Sequence, residues 1–361
     1  MPTAVTPWSG TSRPRWRSFA RLGGLEVTEV DRSSLPSARI IGLGTALPPR
    51  IMTNKDFEQI VDTTDEWIVQ RTGMKVRHYV RPDEGIAEIA VEAGKKAMAA
   101  AEVEPEEIEL LVLATATPEQ PIPATAAIIQ PVLGVRNAVC FDIAGACSGF
   151  LYALQVARQF IATGEVKTAM IIGAEALSKY CDFTDRSTCI LFGDGAGAAV
   201  LRACEPGDGV LSCAWHTDGN YADIIQMPGG GSKYPPHVKE HIDARLPFIK
   251  MRGNEVFKLA VRAFLDVCQE ALGKAGVTTE QVRWFVPHQA NLRIISAVGD
   301  RLGIPGERIY VNLEKVGNTS SASIPLAIGE VIESGGLQRG DLVLMAAFGG
   351  GLTWAASVVR W

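Results

Sequence analysis

The sequence lacks the features that mark membrane proteins and nucleic-acid-binding proteins. Its 361 residues contain no run of about 18 consecutive apolar residues, so no transmembrane helix is predicted. Basic residues are not in excess: 35 lysines and arginines stand against 40 aspartates and glutamates, a net charge of −5. Nucleic-acid binders carry a basic excess, and we therefore expect neither a nucleic-acid nor a membrane partner. The length suits one large domain or two fused halves.

The sequence also lacks the cysteine patterns of disulfide scaffolds and structural zinc sites. It has seven cysteines, an odd number, and no two are spaced as CxxC. This usage favours reduced thiols in a cytoplasm, and no metal site is predicted.

The start of the chain lacks acidic side chains, since the first one is Glu26. It holds four arginines (Arg13, Arg15, Arg17 and Arg21) but not the apolar core of a secretory signal. A disordered tail or an early start codon is favoured over an organellar transit peptide. We therefore predict an N-terminal extension over residues 1–35 and a cytoplasmic protein, with a plastid or other organelle less favoured.

Beyond the extension, short apolar runs alternate with longer helical patterns. The runs "IELLVLATATP", "TAMIIGAEAL" and "LVLMAAFGG" are nearly continuous in apolar residues, which is typical of buried strands, and "ARIIGLGTAL" predicts a strand with a glycine turn. The stretch "NEVFKLAVRAFLDVCQEALGKAG" predicts a helix that buries Cys268 and ends near Gly273 and Gly276. Strands alternating with helices predict an α/β fold with covered sheets.

Spacing indicates two related halves, which we place at residues 36–210 and 211–361. The strand "LLVLATAT" ends about 30 residues before Cys147, and "WFVPHQ" ends about 30 residues before Asn318. A further strand begins roughly 22 residues after Cys147 and roughly 24 residues after Asn318. Cys147 and Asn318 are therefore expected at matching places in the two copies, with a site where the copies meet.

Cys147, in "DIAGACSGF", lies between an apolar stretch and a helical one, which predicts a strand-to-helix turn. A thiol at a helix N-terminus is expected to have a lowered pKa, and the thiolate is the nucleophile. The alternative is a small buried cysteine, which position alone does not exclude.

Two further motifs carry polar side chains. His288, in "WFVPHQANLRI", follows a strand and suits acid-base or hydrogen-bond chemistry, with a loop histidine as the alternative. Asn318, in "VGNTSSASIP", precedes a helix and could simply cap it. The glycines of "AFGGGLTW" let the backbone approach a ligand and predict half of an oxyanion hole.

Taken together, the motifs around Cys147, "PHQAN", "GNTSSAS", "FGGGLTW", "VDTTDEWIVQRTGM" and "FGDGAGAAVL" resemble the β-ketoacyl-acyl-carrier-protein synthase III family of the thiolase superfamily, from about residue 38 to residue 361. The resemblance implies a thiolase-like αβαβα sandwich of two duplicated halves. It implies that Cys147 is the acylated nucleophile of a Cys147, His288 and Asn318 triad. The backbone amides of Cys147 and Gly350 would form the oxyanion hole.

The same resemblance implies a coenzyme A site and further partners. It assigns coenzyme A binding to six residues: Trp67, Arg71, Arg186, Gly253, Phe257 and Asn291. The expected reaction joins an acyl-coenzyme A primer to malonyl carried on acyl carrier protein, with loss of carbon dioxide, and starts fatty acid synthesis. No cofactor is expected beyond the coenzyme A thioester, which is a substrate. Acyl carrier protein is acidic, so Lys258, Arg293 and Arg301 are candidate docking charges. Family members are homodimers.

Some positions depart from the family pattern. Ser148 follows the cysteine where alanine is usual, and Ser187 follows Arg186 where glycine is usual. Ile122 lies in the loop expected to close the acyl pocket across a dimer. We expect the Ser148 hydroxyl to bond locally at the helix start. Three alternatives stay open: a condensing or acyl-transferring enzyme of secondary metabolism, a catalytically dead partner subunit, and, less favoured, a biosynthetic thiolase.

Overall fold

The computed structural model describes residues 35–361. The arginine-bearing start of the chain, and with it the choice between a tail and a transit peptide, lies outside the described residues. Thirteen strands occur in the described part: β1 (Ser37–Ala46), β2 (Arg50–Thr53), β3 (Val76–Tyr79), β4 (Leu110–Ala114), β5 (Val139–Ile143), β6 (Thr168–Ala176), β7 (Asp194–Cys204), β8 (Gly209–Thr217), β9 (Ile225–Gln226), β10 (Lys250–Met251), β11 (Trp284–Pro287), β12 (Leu342–Gly349) and β13 (Thr353–Arg360).

Eleven α-helices occur in the same residues: α1 (Asn54–Glu58), α2 (Asp65–Thr72), α3 (Ala87–Ala101), α4 (Thr125–Leu133), α5 (Gly149–Ala162), α6 (Arg186–Cys189), α7 (Lys239–Asp243), α8 (Gly253–Ala275), α9 (Leu292–Leu302), α10 (Leu313–Val316) and α11 (Ser323–Glu333). Short 3₁₀ turns precede two of them. Ala146–Ser148 leads into α5, and Ser320–Ala322 leads into α11.

The two main sheets share one topology. The first has the order β1-β7-β6-β4-β5 and the second the order β8-β13-β12-β11. In each, the second strand in this order is antiparallel to both neighbours, and the next pair is parallel. In the second sheet, a parallel bridge between Phe285 of β11 and Ile309 corresponds to the parallel pairing of β4 with β5 in the first sheet. The prediction of a duplicated α/β unit is therefore confirmed.

Three buried clusters show how the layers stack. Leu110, Val112 and Ala114 of β4 pack toward α5 and α11, together with alternate residues of β12. Leu111 and Leu113 face the other way, toward α3 and α4. Alternation along a strand puts successive side chains on opposite faces, so this sheet is covered on both sides. The outer face of the second sheet packs on α8 and α9. The layers run helix, sheet, helix, sheet, helix, as expected for an αβαβα sandwich.

The glycines of β1 do not form the predicted turn. The strand continues to Ala46, and Gly42 and Gly44 lie within it. A Cβ at Gly42 would come within 2.5 Å of the Ala97 carbonyl oxygen, and one at Gly44 within 2.3 Å of the Ala93 carbonyl oxygen. The glycines therefore allow α3 to pack directly on the strand, a long-range cause that the local pattern does not reveal.

Helix α8, the long helix of the second half, forms where the apolar periodicity of the sequence predicts it. Helix α8 ends at Ala275, and Gly276 takes the left-handed conformation at φ 64°. Cys268 is fully buried on the predicted apolar stripe. All seven cysteines are free. Among residues 35–361, no helix is long and apolar enough to span a bilayer.

Candidate active site

A cavity of about 650 Å³ connects the surface to the place where the two halves meet. Its exposed end is lined by Trp67, Arg71 and Arg186, and its buried end by Cys147, His288 and Asn318. The structure therefore brings the three triad candidates together, although they are separated by up to 171 positions in the sequence (147 to 318).

Cys147 lies on the predicted strand-to-helix turn. Strand β5 ends at Ile143, the 3₁₀ turn Ala146–Ser148 follows, and α5 starts at Gly149. Ala146 has φ 44°, a left-handed conformation that costs energy for a residue with a Cβ. A strained conformation of this kind persists only where the surrounding structure holds it in place. Here it sets the direction of the backbone one residue before Cys147.

The glycine loop after β12 approaches Cys147 closely. A Cβ on Gly349 would lie 2.6 Å from the Cys147 amide nitrogen, so only glycine fits. Within residues 35–361, neither the Cys147 amide nor the Gly350 amide donates a backbone hydrogen bond. Two amides without acceptors beside a nucleophile are suited to hold an oxyanion.

His288 follows β11, and its backbone amide donates to the Ala346 carbonyl at 2.7 Å. The side chain is buried, and Nδ1 lies 2.6 Å from the Ser323 hydroxyl. Burial lowers the pKa of His288 to about 3, so the ring is neutral at neutral pH. We assign the hydroxyl proton of Ser323 to Nδ1, which puts the ring proton on Nε2. Nε2 is buried without a partner in the described residues and can donate to a bound group.

Hydrogen bonds hold the backbone of Asn318 and the oxygen of its side chain, and leave the side-chain NH₂ group free. Its Oδ1 accepts from the Ser320 amide at 2.9 Å, and its own backbone bonds to Leu191 and Gly193. Accepting from an N–H fixes Oδ1, so Nδ2 is the end left to face the cavity. Through this bond Asn318 also ties down the start of the 3₁₀ turn Ser320–Ala322, which leads directly into α11, so a capping role accompanies its place in the cavity.

The thiol of Cys147 is not activated in the way the sequence suggested. Burial raises the pKa of Cys147 to about 12, the nearby Glu175 carboxylate adds to the rise, and the Ser320 hydroxyl opposes it. The prediction of a lowered pKa is wrong, because desolvation outweighs the start of α5. Cys147 and His288 therefore line the cavity as a neutral thiol and a neutral imidazole.

Ser148 also differs from its prediction. It is fully buried, and its hydroxyl has no hydrogen-bond partner among residues 35–361. The expectation of a local bond at the helix start is wrong, since α5 begins without a side-chain cap. Ser187, in contrast, bonds through its amide and hydroxyl to Asp185, at 2.9 and 2.6 Å.

Three side chains at the exposed end form an aromatic and basic cluster. Thr64 caps α2 by accepting from the Trp67 amide, and Trp67 and Arg71 lie one helical turn apart. The guanidinium groups of Arg71 and Arg186 lie 5.3 and 5.1 Å from the centre of the Trp67 ring. At this spacing no flat ring fits between Arg186 and Trp67, so stacking of an adenine between them requires one side chain to move.

The remaining predicted binding residues also lie along the cavity. Gly253, Phe257 and Asn291 line it, as do Lys258 and Arg293. Asn291 uses its side chain to cap α9 and to donate to the Arg71 carbonyl at 3.1 Å.

Three predicted residues are not among those that line this cavity: Arg301, Ile122 and Gly350, the last of which directly follows the Gly349 that packs against Cys147. Arg301 is exposed on α9, eight residues beyond Arg293, which is about 12 Å along a helix. Ile122 is 84% exposed and lines no part of the Cys147 cavity in this chain.

Sequence reasoning missed three residues behind the triad: Glu175, Ser320 and Ser323. Glu175 is the one acid in the apolar run "TAMIIGAEAL", and an acid within a buried strand is a signal that could have identified it. The two serines gave no such signal, since the "GNTSSAS" run suits any polar turn.

Known proteins resemble this chain over most of its length. The family model described as 3-oxoacyl-[acyl-carrier-protein (ACP)] synthase III matches residues 141–219, and the model of its C-terminal part matches residues 272–361. A β-ketoacyl-[acyl-carrier-protein] synthase III from Alkalilimnicola ehrlichii is 47% identical over 326 residues, which cover 90% of this chain and 99% of that protein.

Solved structures share this fold. The crystal structure of 3-oxoacyl-[acyl-carrier-protein] synthase III from Aquifex aeolicus is 45% identical, has a TM-score of 0.83, and covers 90% of this chain and 100% of its own. The priming β-ketosynthase of the R1128 polyketide biosynthetic pathway is 36% identical, with a TM-score of 0.84 and coverage of 93% and 98%.

Proposed function

This chain belongs to the β-ketoacyl-[acyl-carrier-protein] synthase III family, and from that premise we propose that it joins an acyl-coenzyme A primer to malonyl-acyl carrier protein. The chain is a condensing acyltransferase, and the family's reaction initiates fatty acid synthesis. The observation that carries the proposal is one cavity with a thiol, an imidazole and an amide at its closed end.

In the first half-reaction, the sulfur of Cys147 attacks the carbonyl carbon of acyl-coenzyme A. The amides of Cys147 and Gly350 hold the oxyanion of the tetrahedral intermediate. The carbon–sulfur bond to coenzyme A breaks, and the proton of the thiol leaves with the coenzyme A sulfur. Because the pKa of Cys147 is raised, the resting enzyme holds a neutral thiol, and the proton is lost only with substrate in place.

In the second half-reaction, malonyl-acyl carrier protein enters and loses carbon dioxide. The electron pair of the broken bond forms an enolate, whose oxygen needs donors. His288 Nε2, which has no partner within residues 35–361, and Asn318 Nδ2, the end of the side chain that Ser320 does not hold, supply them, since both residues line the cavity. The enolate carbon attacks the acyl group on Cys147, a β-ketoacyl-acyl carrier protein leaves, and the cysteine sulfur takes a proton from solvent. Two separate half-reactions predict ping-pong kinetics.

The exposed end of the cavity suits coenzyme A. Arg71 and Arg186 carry the charge that phosphate groups require, and Trp67 offers a ring on which a base can stack. Gly253, Phe257 and Asn291 line the path from there toward Cys147.

The same rim suits an acidic carrier protein. Lys258 and Arg293 are exposed at the cavity, and Arg301 extends the basic surface along α9. None of the three forms an ion pair within residues 35–361, so their charges are available to a partner.

A homodimer would explain two exposed apolar residues. Strand β5 is an edge strand of its sheet, and Val139 on it is 67% exposed. Ile122 is exposed on a neighbouring loop. In a dimer, the second copy would cover Ile122, which would then lie beside the acyl site of that second copy. The seven free thiols fit a reducing compartment such as the cytoplasm.

The experiment is an assay of purified protein with radiolabelled malonyl-acyl carrier protein and a panel of acyl-coenzyme A primers. We expect carbon dioxide release and a β-ketoacyl-acyl carrier protein that both require primer. Because a polyketide priming enzyme is also similar, carrier proteins from both kinds of pathway are compared. Absence of carbon dioxide release with every primer and carrier contradicts the proposal, and turnover only with a polyketide carrier moves the chain to secondary metabolism.

A further inference from the structure

Gln289 is a fully buried amide side chain directly after His288, and the reaction above does not use it. It is 0% exposed and is not among the residues that line the cavity, so it does not touch a substrate bound there. A buried amide is costly unless its donors and its acceptor find partners. The hydrogen bonds of Gln289 therefore show which parts of the site it holds together.

Every hydrogen-bonding group of the Gln289 side chain has a partner. Nε2 donates to the Pro287 carbonyl at 2.8 Å and to the Tyr310 carbonyl at 3.1 Å. Oε1 accepts from the backbone amides of Asn312 and Leu313, at 3.0 and 3.3 Å. Two carbonyls face one end of the side chain and two N–H groups face the other, so only an amide in this orientation satisfies all four.

On one side, these bonds hold the loop that carries His288. The side chain holds the carbonyl of Pro287, the residue before His288, and the His288 amide donates to the Ala346 carbonyl at 2.7 Å. The Gln289 backbone amide donates to the Ser323 hydroxyl oxygen at 3.4 Å. The other partner of that hydroxyl is His288 Nδ1, at 2.6 Å, so its proton is directed to the ring. Gln289 therefore bears on both the place and the tautomer of His288.

On the other side, the same side chain holds the start of α10, which leads to Asn318. Its Oε1 accepts from Leu313, the first residue of α10, and the Leu313 carbonyl accepts from the Gly317 amide at 2.9 Å. Asn318 is the next residue. A helix of four residues is only about 6 Å long, so a shift of its start is passed to its end. Asn318 has further backbone bonds, and we therefore expect the larger effect at His288.

We propose that Gln289 is a positioning residue that sets the placement of the two donors, His288 and Asn318, relative to each other by joining the loop after β11 to the start of α10. This inference rests on the proposed function, in which both side chains donate to the enolate oxygen. Two donors stabilise one oxygen only when both reach it, so loss of this link weakens decarboxylation. Acylation of Cys147 uses backbone amides of the first turn and the glycine loop, which Gln289 does not hold.

The elements packed around Gln289 carry five titratable side chains: His288, Tyr310, Glu314, Lys315 and Glu330. Glu330 pairs with Lys315, and Glu314 pairs with Lys75. The pKa of His288 is about 3 because of burial, that of Tyr310 is raised by burial to about 12, and hydrogen bonding to Glu330 raises that of Lys315. A carboxyl group introduced at position 289 is therefore expected to dominate any new pH dependence between pH 6 and pH 9.

The test compares the two half-reactions of the full-length protein between pH 6 and pH 9. In Gln289→Glu, a neutral carboxyl group still accepts from the amides and donates to one carbonyl, whereas an ionised one has no proton for Pro287 or Tyr310. Burial and these carbonyls raise the pKa of the introduced group above its ordinary value of about 4.3. Relative to the parent, we expect decarboxylation within a few fold at pH 6 and a loss of about tenfold or more toward pH 9, with acylation little changed throughout.

Two further variants make the test specific. Gln289→Met removes all four bonds without adding a charge, so we expect a loss of decarboxylation that is the same at every pH. Gln130 is a matched control on α4: its Nε2 also donates to two backbone carbonyls, those of Val135 and Ala138 at 3.4 and 3.0 Å, and it does not line the cavity. Gln130→Glu is expected to follow the parent. If Gln289→Met does not fold, the pH dependence of Gln289→Glu decides.

Histidine NMR gives a second readout that needs no substrate. The ¹⁵N signals of selectively labelled histidines report which ring nitrogen carries the proton, and His288→Gln identifies the signals of His288 among the five histidines. We expect one Nε2–H tautomer in the parent and in Gln289→Glu at pH 6. We expect mixed tautomers in Gln289→Met and in Gln289→Glu toward pH 9.

Three outcomes overturn the inference: equal losses in both half-reactions, a Gln289→Glu profile parallel to that of the parent, or the same profile in Gln130→Glu. A parent protein that never releases carbon dioxide from malonyl-acyl carrier protein refutes the proposed function instead. The spectra then decide separately, because an unchanged tautomer in every variant overturns the inference and a changed one leaves the role of Gln289 in placing His288 standing.

Discussion

The two turns that precede α5 and α11 have the same geometry and different chemistry. Each is a 3₁₀ turn that starts with a non-glycine residue at positive φ, Ala146 at 44° and Ser320 at 48°. Each leads into a helix of the central layer. In this register Ser321 is the counterpart of Cys147. Asn318 is therefore on the matching turn, as predicted, but three residues earlier than the exact match.

The difference shows how a duplicated scaffold acquires a site. Cys147 lines the cavity, whereas the Ser321 hydroxyl lies 3.0 Å from the Ala114 carbonyl oxygen and 2.9 Å from Glu175 Oε1. The second turn instead contributes Asn318, and Ser323 at the start of its helix contacts His288. One copy carries the nucleophile, and the other carries the donors that stabilise charge.

The largest expected effect comes from replacing Cys147 with serine, the residue found at the matching position, Ser321, of the second turn. In Cys147→Ser we expect condensation to fall by roughly a thousandfold or more, because a hydroxyl is a poor nucleophile without a strong base beside it. The measurement is the rate of β-ketoacyl-acyl carrier protein formation, with thermal unfolding as the control for folding. A rate within tenfold of the parent protein contradicts the assignment of the nucleophile.

The second expected effect separates the roles of the two turns. Asn318→Ala removes one of two donors to the enolate, and we expect a loss of about a hundredfold in malonyl decarboxylation. Acylation from acyl-coenzyme A is expected to stay within a few fold, because it uses the first turn. Single-turnover measurements of each half-reaction provide the comparison. Equal losses of rate in both half-reactions would mean that Asn318 acts only by holding the fold.

A smaller effect concerns His288, which the second turn fixes through Ser323. Its pKa is lowered from 6.5 to about 3, so the unfolded chain binds a proton in this range that the native protein does not. Stability is therefore lost as pH falls from about 6.5 toward 3, by about 2 kcal/mol between pH 7 and pH 5. Urea unfolding of the parent and His288→Gln at both pH values measures it. The prediction fails if the variant loses as much stability as the parent.

The smallest effect concerns Ser321 itself. Ser321→Ala removes buried hydrogen bonds to the first half, and we expect a loss of about 1 kcal/mol in the free energy of unfolding. Ser334→Ala is the control, since that hydroxyl bonds within its own helix end to Val331 at 2.9 Å and is less buried. An equal loss in both variants would show that the contact between the halves adds nothing specific.

Local patterns predicted the parts of the molecule that local forces determine. The strand-to-helix turn at Cys147 and helix α8 follow from apolar periodicity and glycine placement. The glycines of β1 were misread because the reason for them is a helix about 50 residues away, from Gly44 to Ala93. The neutral thiol and the Ser148 hydroxyl without a partner in residues 35–361 depend on burial between the halves, which no local pattern encodes. Glu175 is different, because an acid within the apolar run of β6 was a local signal.

The central claim is that the thiol at the meeting point of the two halves carries the acyl group. Mass spectrometry of the protein after incubation with an acyl-coenzyme A panel, with peptide mapping, tests it directly. We predict one acyl group on Cys147 in the parent protein and in Asn318→Ala, and none in Cys147→Ser. No adduct with any primer, or an adduct on another of the seven cysteines, would contradict the account.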